Sequence, residues 1–149
     1  MEWIYKNNED NSCRYILGEP GNRTLCCIGV KPSTAEPNNL DNTLLNVRKI
    51  ATKNGYDGWI MINIYPQKAT DPSELHEEIL ELIHSQNLKY IEEYFSVNMP
   101  VAVWASWGTL IKKRKYLRDC LKDITNIISA YKINWLTFGK PTKISDFLT

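Results

Sequence analysis

The residues best placed to do chemistry cluster where apolar runs end. Lys31-Pro32-Ser33-Thr34 forms a corner after the run Thr24–Val30, with a helix start soon after. Such a corner offers free backbone N–H groups and two hydroxyls, which suit a phosphate or another small anion. Asn63 closes a second run, Ile60-Met61-Ile62, and is followed by Tyr65-Pro66. An amide buried there must find partners or lose roughly 1–3 kcal/mol of solvation. It either recognises a ligand edge or caps neighbouring loop N–H groups. Trp107-Gly108-Thr109 and Gly139-Lys140 end two further runs. Hydroxyls, amides, aromatics and lysines together suit a flat, polar ligand that stacks and hydrogen-bonds.

Other groups have plainer readings. Asp41 and Asp71 precede helix-like segments and read as N-caps, though a cap facing the same edge could orient a water. His76 and His84 stand on an acidic segment and read as part of a solvated helix. Lys112-Lys113-Arg114-Lys115, with Arg118, reads as a solvated helix face, with a phosphate-contacting patch as the alternative. Cys13, Cys26, Cys27 and Cys120 lack C-x-x-C spacing, and neighbours on a strand point to opposite faces. Reduced thiols are expected, with no metal and no cofactor.

The elements that must carry these residues follow from periodicity. Runs 12–18 and 24–30 flank Glu19-Pro20-Gly21-Asn22, a turn signal that predicts a hairpin. A helix starts at Asp41, presents Leu44, Val47 and Ala51 on one face, and stops at Asn54-Gly55. Gly58–Ile64 reads as a buried strand. Asp71-Pro72-Ser73-Glu74 opens a helix with Leu75, Ile79, Leu82 and Ile83 as its stripe, and Asn87-Leu88 begins a second piece. Val101–Ser106 is a strand, 109–131 a long helix, and Ile133–Phe138 the last strand. Trp104 and Trp135 are expected in the core.

Strands alternating with helices argue for a parallel sheet covered on both faces. The expected fold is one α/β domain over residues 1–149: a three-layer α/β/α sandwich with a mostly parallel four-stranded sheet plus an N-terminal hairpin strand. The chain has 149 residues, 43% hydrophobic and 23% charged, with a formal net charge of +1. That balance speaks against holding duplex nucleic acid mainly by counterion release. No apolar run reaches the ~18 residues of a membrane span, and Met1-Glu2-Trp3 does not begin a secretory signal. A cytoplasmic protein is expected.

At these motifs the chain resembles a bacterial and phage family known as domain of unknown function 1643. The matching residues are Arg14-Tyr15, Pro32-Ser33-Thr34-Ala35, Asp41 with Thr43, Gly55-Tyr56-Asp57-Gly58 with Asn63, Ala69-Thr70-Asp71-Pro72 with Leu75, and Trp107-Gly108. The layout is similar, more distantly, to the uracil-DNA glycosylase superfamily. That resemblance implies hydrolysis of an N-glycosidic bond, with Asn63 reading the base edge and the backbone of Ser33 and Thr34 binding phosphate or sugar. Two positions depart from the family pattern. Lys31 replaces an asparagine, and Lys143 stands near the place of a C-terminal histidine. A lysine has donors only, and it cannot usually protonate a leaving group near neutral pH. Lys31 is then a phosphate ligand, an amine nucleophile or a solvated lysine.

The expected activity is hydrolysis of a nucleobase or nucleotide N-glycosidic bond, and the alternative is non-catalytic nucleotide or nucleic-acid binding. A protein-interaction module with a vestigial pocket is a third reading. The expected partner is a nucleobase, a nucleotide or single-stranded nucleic acid. Asp41, Asn63 and Lys31 are the expected catalytic residues. Pro32, Ser33, Thr34, Tyr65, Asp71, Trp107, Gly108, Lys140 and Lys143 are the expected ligand-binding ones.

Overall fold

The computed structural model describes residues 2–137 and 140–141, the last two by backbone only. In chain order the strands are β1 (Ile4–Asn7), β2 (Arg14–Glu19), β3 (Thr24–Gly29), β4 (Gly58–Asn63), β5 (Ala102–Ala105), β6 (Asn134–Thr137) and β7 (Lys140–Pro141). The helices are α1 (Asn42–Lys53), α2 (Glu81–Val97) and α3 (Tyr116–Ile128). The seven strands among the described residues form one sheet in the order β1-β2-β4-β3-β5-β6-β7. β3 runs parallel to β4 and β5, and β5 parallel to β6; β1, β2 and β7 join antiparallel at the two edges.

The α/β class holds, and the sheet is larger and more mixed than expected. The hairpin is the first correction. β2 does not pair with β3; β4 inserts between them, antiparallel to one and parallel to the other. All six residues of β4 are buried, so the strand needs a ladder on each side to satisfy its backbone. Glycines make the approach possible. A Cβ on Gly18 would lie 2.2 Å from the Trp59 carbonyl oxygen, and one on Gly58 would lie 2.2 Å from the Gly21 nitrogen. The Pro20–Arg23 turn is tied to the start of β4, because Asp57 accepts from the backbone N–H of Arg23 at 2.6 Å and of Asn22 at 3.2 Å.

Each sheet face buries a separate core. Leu44, Val47 and Ala51 of α1 pack on Leu17, Leu25, Cys27, Trp59 and Met61. Ile91, Tyr94 and Phe95 of α2, with Leu117, Cys120, Leu121, Ile124 and Ile128 of α3, cover the opposite face around Cys26, Ile28, Ile60, Ile62 and Val103. α1 begins at its expected cap, where the Asp41 carboxylate accepts from Leu44 N–H at 3.0 Å. It ends at Gly55, whose φ of +87° suits glycine.

Two expected helices are shortened. The Asp71-Pro72 start yields only a 3-10 turn over Pro72–Glu74, and α2 begins at Glu81. The long helix expected over 109–131 is a 3-10 segment, Gly108–Lys113, followed by α3. One side chain links the two interruptions. Arg114, extended at φ −134°, donates to the carbonyls of Ser73, Leu75 and His76. Tyr116 also donates to the His76 carbonyl, and Tyr65 accepts from Leu80 N–H. Tertiary donors thus satisfy carbonyls that a helix would have used.

His84 is not on a solvated face. It is buried on α2, with Nε2 2.8 Å from Asp123 on α3. Among the described residues no helix is long and apolar enough to cross a membrane.

Gly18→Ala is expected to lower stability by about 1–3 kcal/mol through backbone overlap, read as a shift of the urea midpoint at constant slope. A second prediction concerns pH. All four cysteines are buried thiols, and burial pushes Cys27 and Cys120 from 9.0 up to about 12. Above pH 9 the unfolded chain releases thiol protons that the folded chain keeps, so stability falls as pH rises toward about 12. Arg14 and Lys31 are shifted down and act in the opposite sense, but they are fewer. A melting temperature that drops steadily above pH 9 in reductant, and drops less in Cys27→Ala, is the expected result.

Candidate functional site

β3, β4 and β5 run the same way and end together, with Gly29 beside Asn63 and Ile28 beside Ala105. Beyond their exits the chain folds over α1 and leaves a cleft of about 220 Å³, lined by Arg14, Lys31, Ser33, Asp41, Met61 and Trp107 among others. Four residues expected at the site from sequence are therefore brought together: Lys31, Ser33, Asp41 and Trp107.

Local chemistry holds the polar wall in place. The carboxylate of Asp41 is fixed by two donors, Leu44 N–H on one oxygen and the Ser33 hydroxyl on the other. The loop between them is pinned by a tight turn, where Glu36 and Asn39 exchange backbone hydrogen bonds at 3.2 and 3.0 Å. Asn11 donates to the Glu36 side chain at 3.0 Å. Lys31 is half-buried and hydrogen-bonded to the following loop. Its ammonium donates to the carbonyl of Ala69 and, at 3.4 Å, to that of Thr70. Partial burial lowers its pKa, opposed by Glu74, Asp71 and Asp41.

Sequence reasoning missed Arg14 as a site residue. It is 2% exposed, and its guanidinium makes one hydrogen bond, from Nη1 to the Ala35 carbonyl at 3.1 Å, while Nε has no partner. Burial pulls its pKa down to about 10, and the Asp41 charge partly restores it. The two are not within ion-pair distance; the salt bridges among the described residues lie elsewhere. A signal existed: a lone arginine opening an otherwise apolar strand, Arg14-Tyr15-Ile16-Leu17. Because β2 runs antiparallel to β4, the first residue of β2 arrives at the edge where β4 ends, with Arg14 N–H bonded to the Pro66 carbonyl at 3.0 Å.

Other expected residues fall elsewhere. Tyr65 is fully buried in the core under α2 and α3, its hydroxyl 2.7 Å from His76 Nδ1. Asp71 caps the 3-10 turn in a capping box, and the Ser73 N–H hydrogen bond holds its pKa down. Neither lines the cleft. Pro32 is buried and accepts from Ala69 N–H at 3.1 Å, and Thr34 is exposed. Asn63 is 1% exposed with both amide atoms unpartnered, its Oδ1 lying 3.1 Å from where a Cβ on Gly29 would be. Its side chain does not cap loop N–H groups.

Gly108, at φ +60°, lines a second chamber that adjoins the cleft. Trp104 is half-buried, packed against the core under α1 and lining that chamber. Lys140 stands on β7 with its side chain outside the described residues, and Gly139 and Lys143 lie outside them altogether. Among the described residues no cluster of His, Cys, Asp or Glu is placed to hold a metal.

Fold and cleft thus define a three-layer α/β protein with a charged pocket at its strand exits. The chain belongs to the family described as protein of unknown function (DUF1643), whose model matches residues 14–145. No curated protein matches it. Among solved structures it is similar to one titled "Crystal Structure of TesA", at 17% identity and a TM-score of 0.42, over 77% of this chain and 59% of that one. The chain spans about three-fifths of that structure's length.

Asp41→Ala is expected to cost about 0.5–2 kcal/mol by removing the cap of α1, whereas Asp41→Asn, which still caps, stays near wild type. Urea midpoints of the two variants check this.

Proposed function

We propose that this protein binds a nucleotide in the strand-exit cleft, with the anionic group seated against Arg14. The observation that carries the reading is the burial of Arg14 with a single hydrogen bond. Burying a guanidinium costs solvation that one neutral acceptor does not return, and apolar replacements of buried charges often stabilise. Within the fold Arg14 satisfies only the Ala35 carbonyl and faces the Asp41 charge. A ligand gains more, because a guanidinium in a low-dielectric cleft grips phosphate or carboxylate oxygens through charge-assisted hydrogen bonds. The Ser33 hydroxyl and the Trp107 ring on the same walls suit the sugar and base of such a ligand.

A second reading is hydrolysis of the ligand's N-glycosidic bond, as resemblance to the uracil-DNA glycosylase superfamily implies. The specific observation in its favour is Asp41, a carboxylate at the cleft held in one orientation by Ser33 and Leu44 N–H. A fixed carboxylate beside a bound sugar can orient a water and stabilise a developing oxocarbenium charge. In this reading Lys31 anchors the loop rather than attacking the sugar, its ammonium donating to the carbonyls of Ala69 and Thr70.

Calorimetric titration with nucleoside monophosphates tests the binding. Wild type is expected to bind at least one with an affinity that weakens with salt. Arg14→Met is expected to lose about 1–3 kcal/mol of stability, because the buried Ala35 carbonyl is left unpaired, and to lose affinity by about tenfold or more. Absence of binding across the panel, or unchanged affinity in Arg14→Met, overturns the reading. Base release followed by chromatography tests the second: it should appear in wild type and vanish in Asp41→Asn while binding persists.

A further inference from the structure

Beside the charged cleft lies a larger chamber of about 620 Å³, lined by Asn46, Val47, Ile50, Trp104 and Thr137 among others. Thr43, Met61, Ser106 and Trp107 line both spaces, so the two are adjoining parts of one depression between α1 and the ends of β3 and β5. Their chemistry differs sharply. The smaller part carries Arg14, Lys31 and Asp41; among the described residues the larger carries no charged side chain. We propose that the larger chamber takes the uncharged base of the ligand whose anionic group sits against Arg14. This rests on the nucleotide-binding reading above and adds which way the ligand lies and which residues meet its ring.

The division of charge argues for the orientation. An anion in the larger chamber would meet no cation among the described residues, and a neutral ring in the smaller would displace water from a guanidinium and a carboxylate without compensation. Polar groups argue for a heterocycle over an aliphatic chain. The hydroxyl of Thr43 and the amide of Asn46 stand exposed on the rim of α1 and make no hydrogen bond among the described residues. In the wall, Trp104 Nε1 and Thr137 Oγ1 are shielded from solvent and also lack partners. An alkyl chain covering the rim would leave Thr43 and Asn46 unpaired, whereas the edge of a base offers donors and acceptors to them. The aliphatic faces of Val47, Ile50 and Met61 and the indole of Trp104 supply the apolar contact that a ring needs.

The test uses Asn46→Trp, an exposed helix position whose new ring would occupy the chamber, with Asn46→Ala as the control that removes only the amide. Calorimetry compares inorganic phosphate, a nucleoside, its 5′-monophosphate and octyl phosphate on each protein, with far-UV dichroism to verify the fold. Asn46→Trp should weaken the monophosphate and the nucleoside by about tenfold or more and leave inorganic phosphate within about twofold, and Asn46→Ala should weaken them less. Monophosphate binding that is intact in Asn46→Trp overturns the orientation while the nucleotide-binding reading survives. Octyl phosphate binding as tightly as the monophosphate, with no nucleoside binding, overturns the base as occupant. Absence of all monophosphate binding defeats the earlier reading itself.

Discussion

Insertion of β4 between β2 and β3 is the constraint from which the rest of the molecule follows. A six-residue strand buried on both faces must have every N–H and C=O paired, and in this chain it does so by prying apart two segments joined by a four-residue turn. Close backbone contact at Gly18 and Gly58 permits the insertion, and Asp57 fastens it to the turn. Once β4 lies there, its parallel partner β3 ends on one side of it, and the antiparallel β2 begins on the other. The cleft and its arginine are products of that arrangement.

The polar wall is built so that few of its groups are free to move. Asp41 is at once the cap of α1, the acceptor of the Ser33 hydroxyl and the charge that keeps Arg14 from losing more of its basicity. Lys31 is drawn away into the carbonyls of the following loop. This leaves the buried guanidinium with one hydrogen bond inside the fold, the imbalance on which the proposed ligand site rests. Asn63 is a second such imbalance: an amide with neither atom partnered at the end of a core strand.

On the opposite face, Arg114 plays the organising part. By donating to three carbonyls of the segment after Pro72, it holds that segment out of a helix, and its own extended backbone breaks the helix it would have belonged to. Tyr65, His76 and Tyr116 complete this internal network. Tyr65, expected at the site, is buried within this network and does not line the charged cleft.

Sequence alone was enough for whatever depends on neighbours along the chain. The apolar runs of β3, β4 and β5, the cap at Asp41, the stop at Gly55 and the strand-exit positions of Ser33, Asn63 and Trp107 are local patterns of burial and hydrogen bonding. Tertiary structure decided whatever depends on who lies alongside. A Pro-Gly turn is compatible with a hairpin, and only the competition of β4 for the same ladders rules that out. Propensity favours helix after Pro72 and through Arg114, and only long-range donors interrupt it. Arg14 reads as one charge in an apolar run until an antiparallel neighbour carries it to the strand exits. Pairing across the sheet is a contest among distant segments, and no stretch of chain records its outcome by itself.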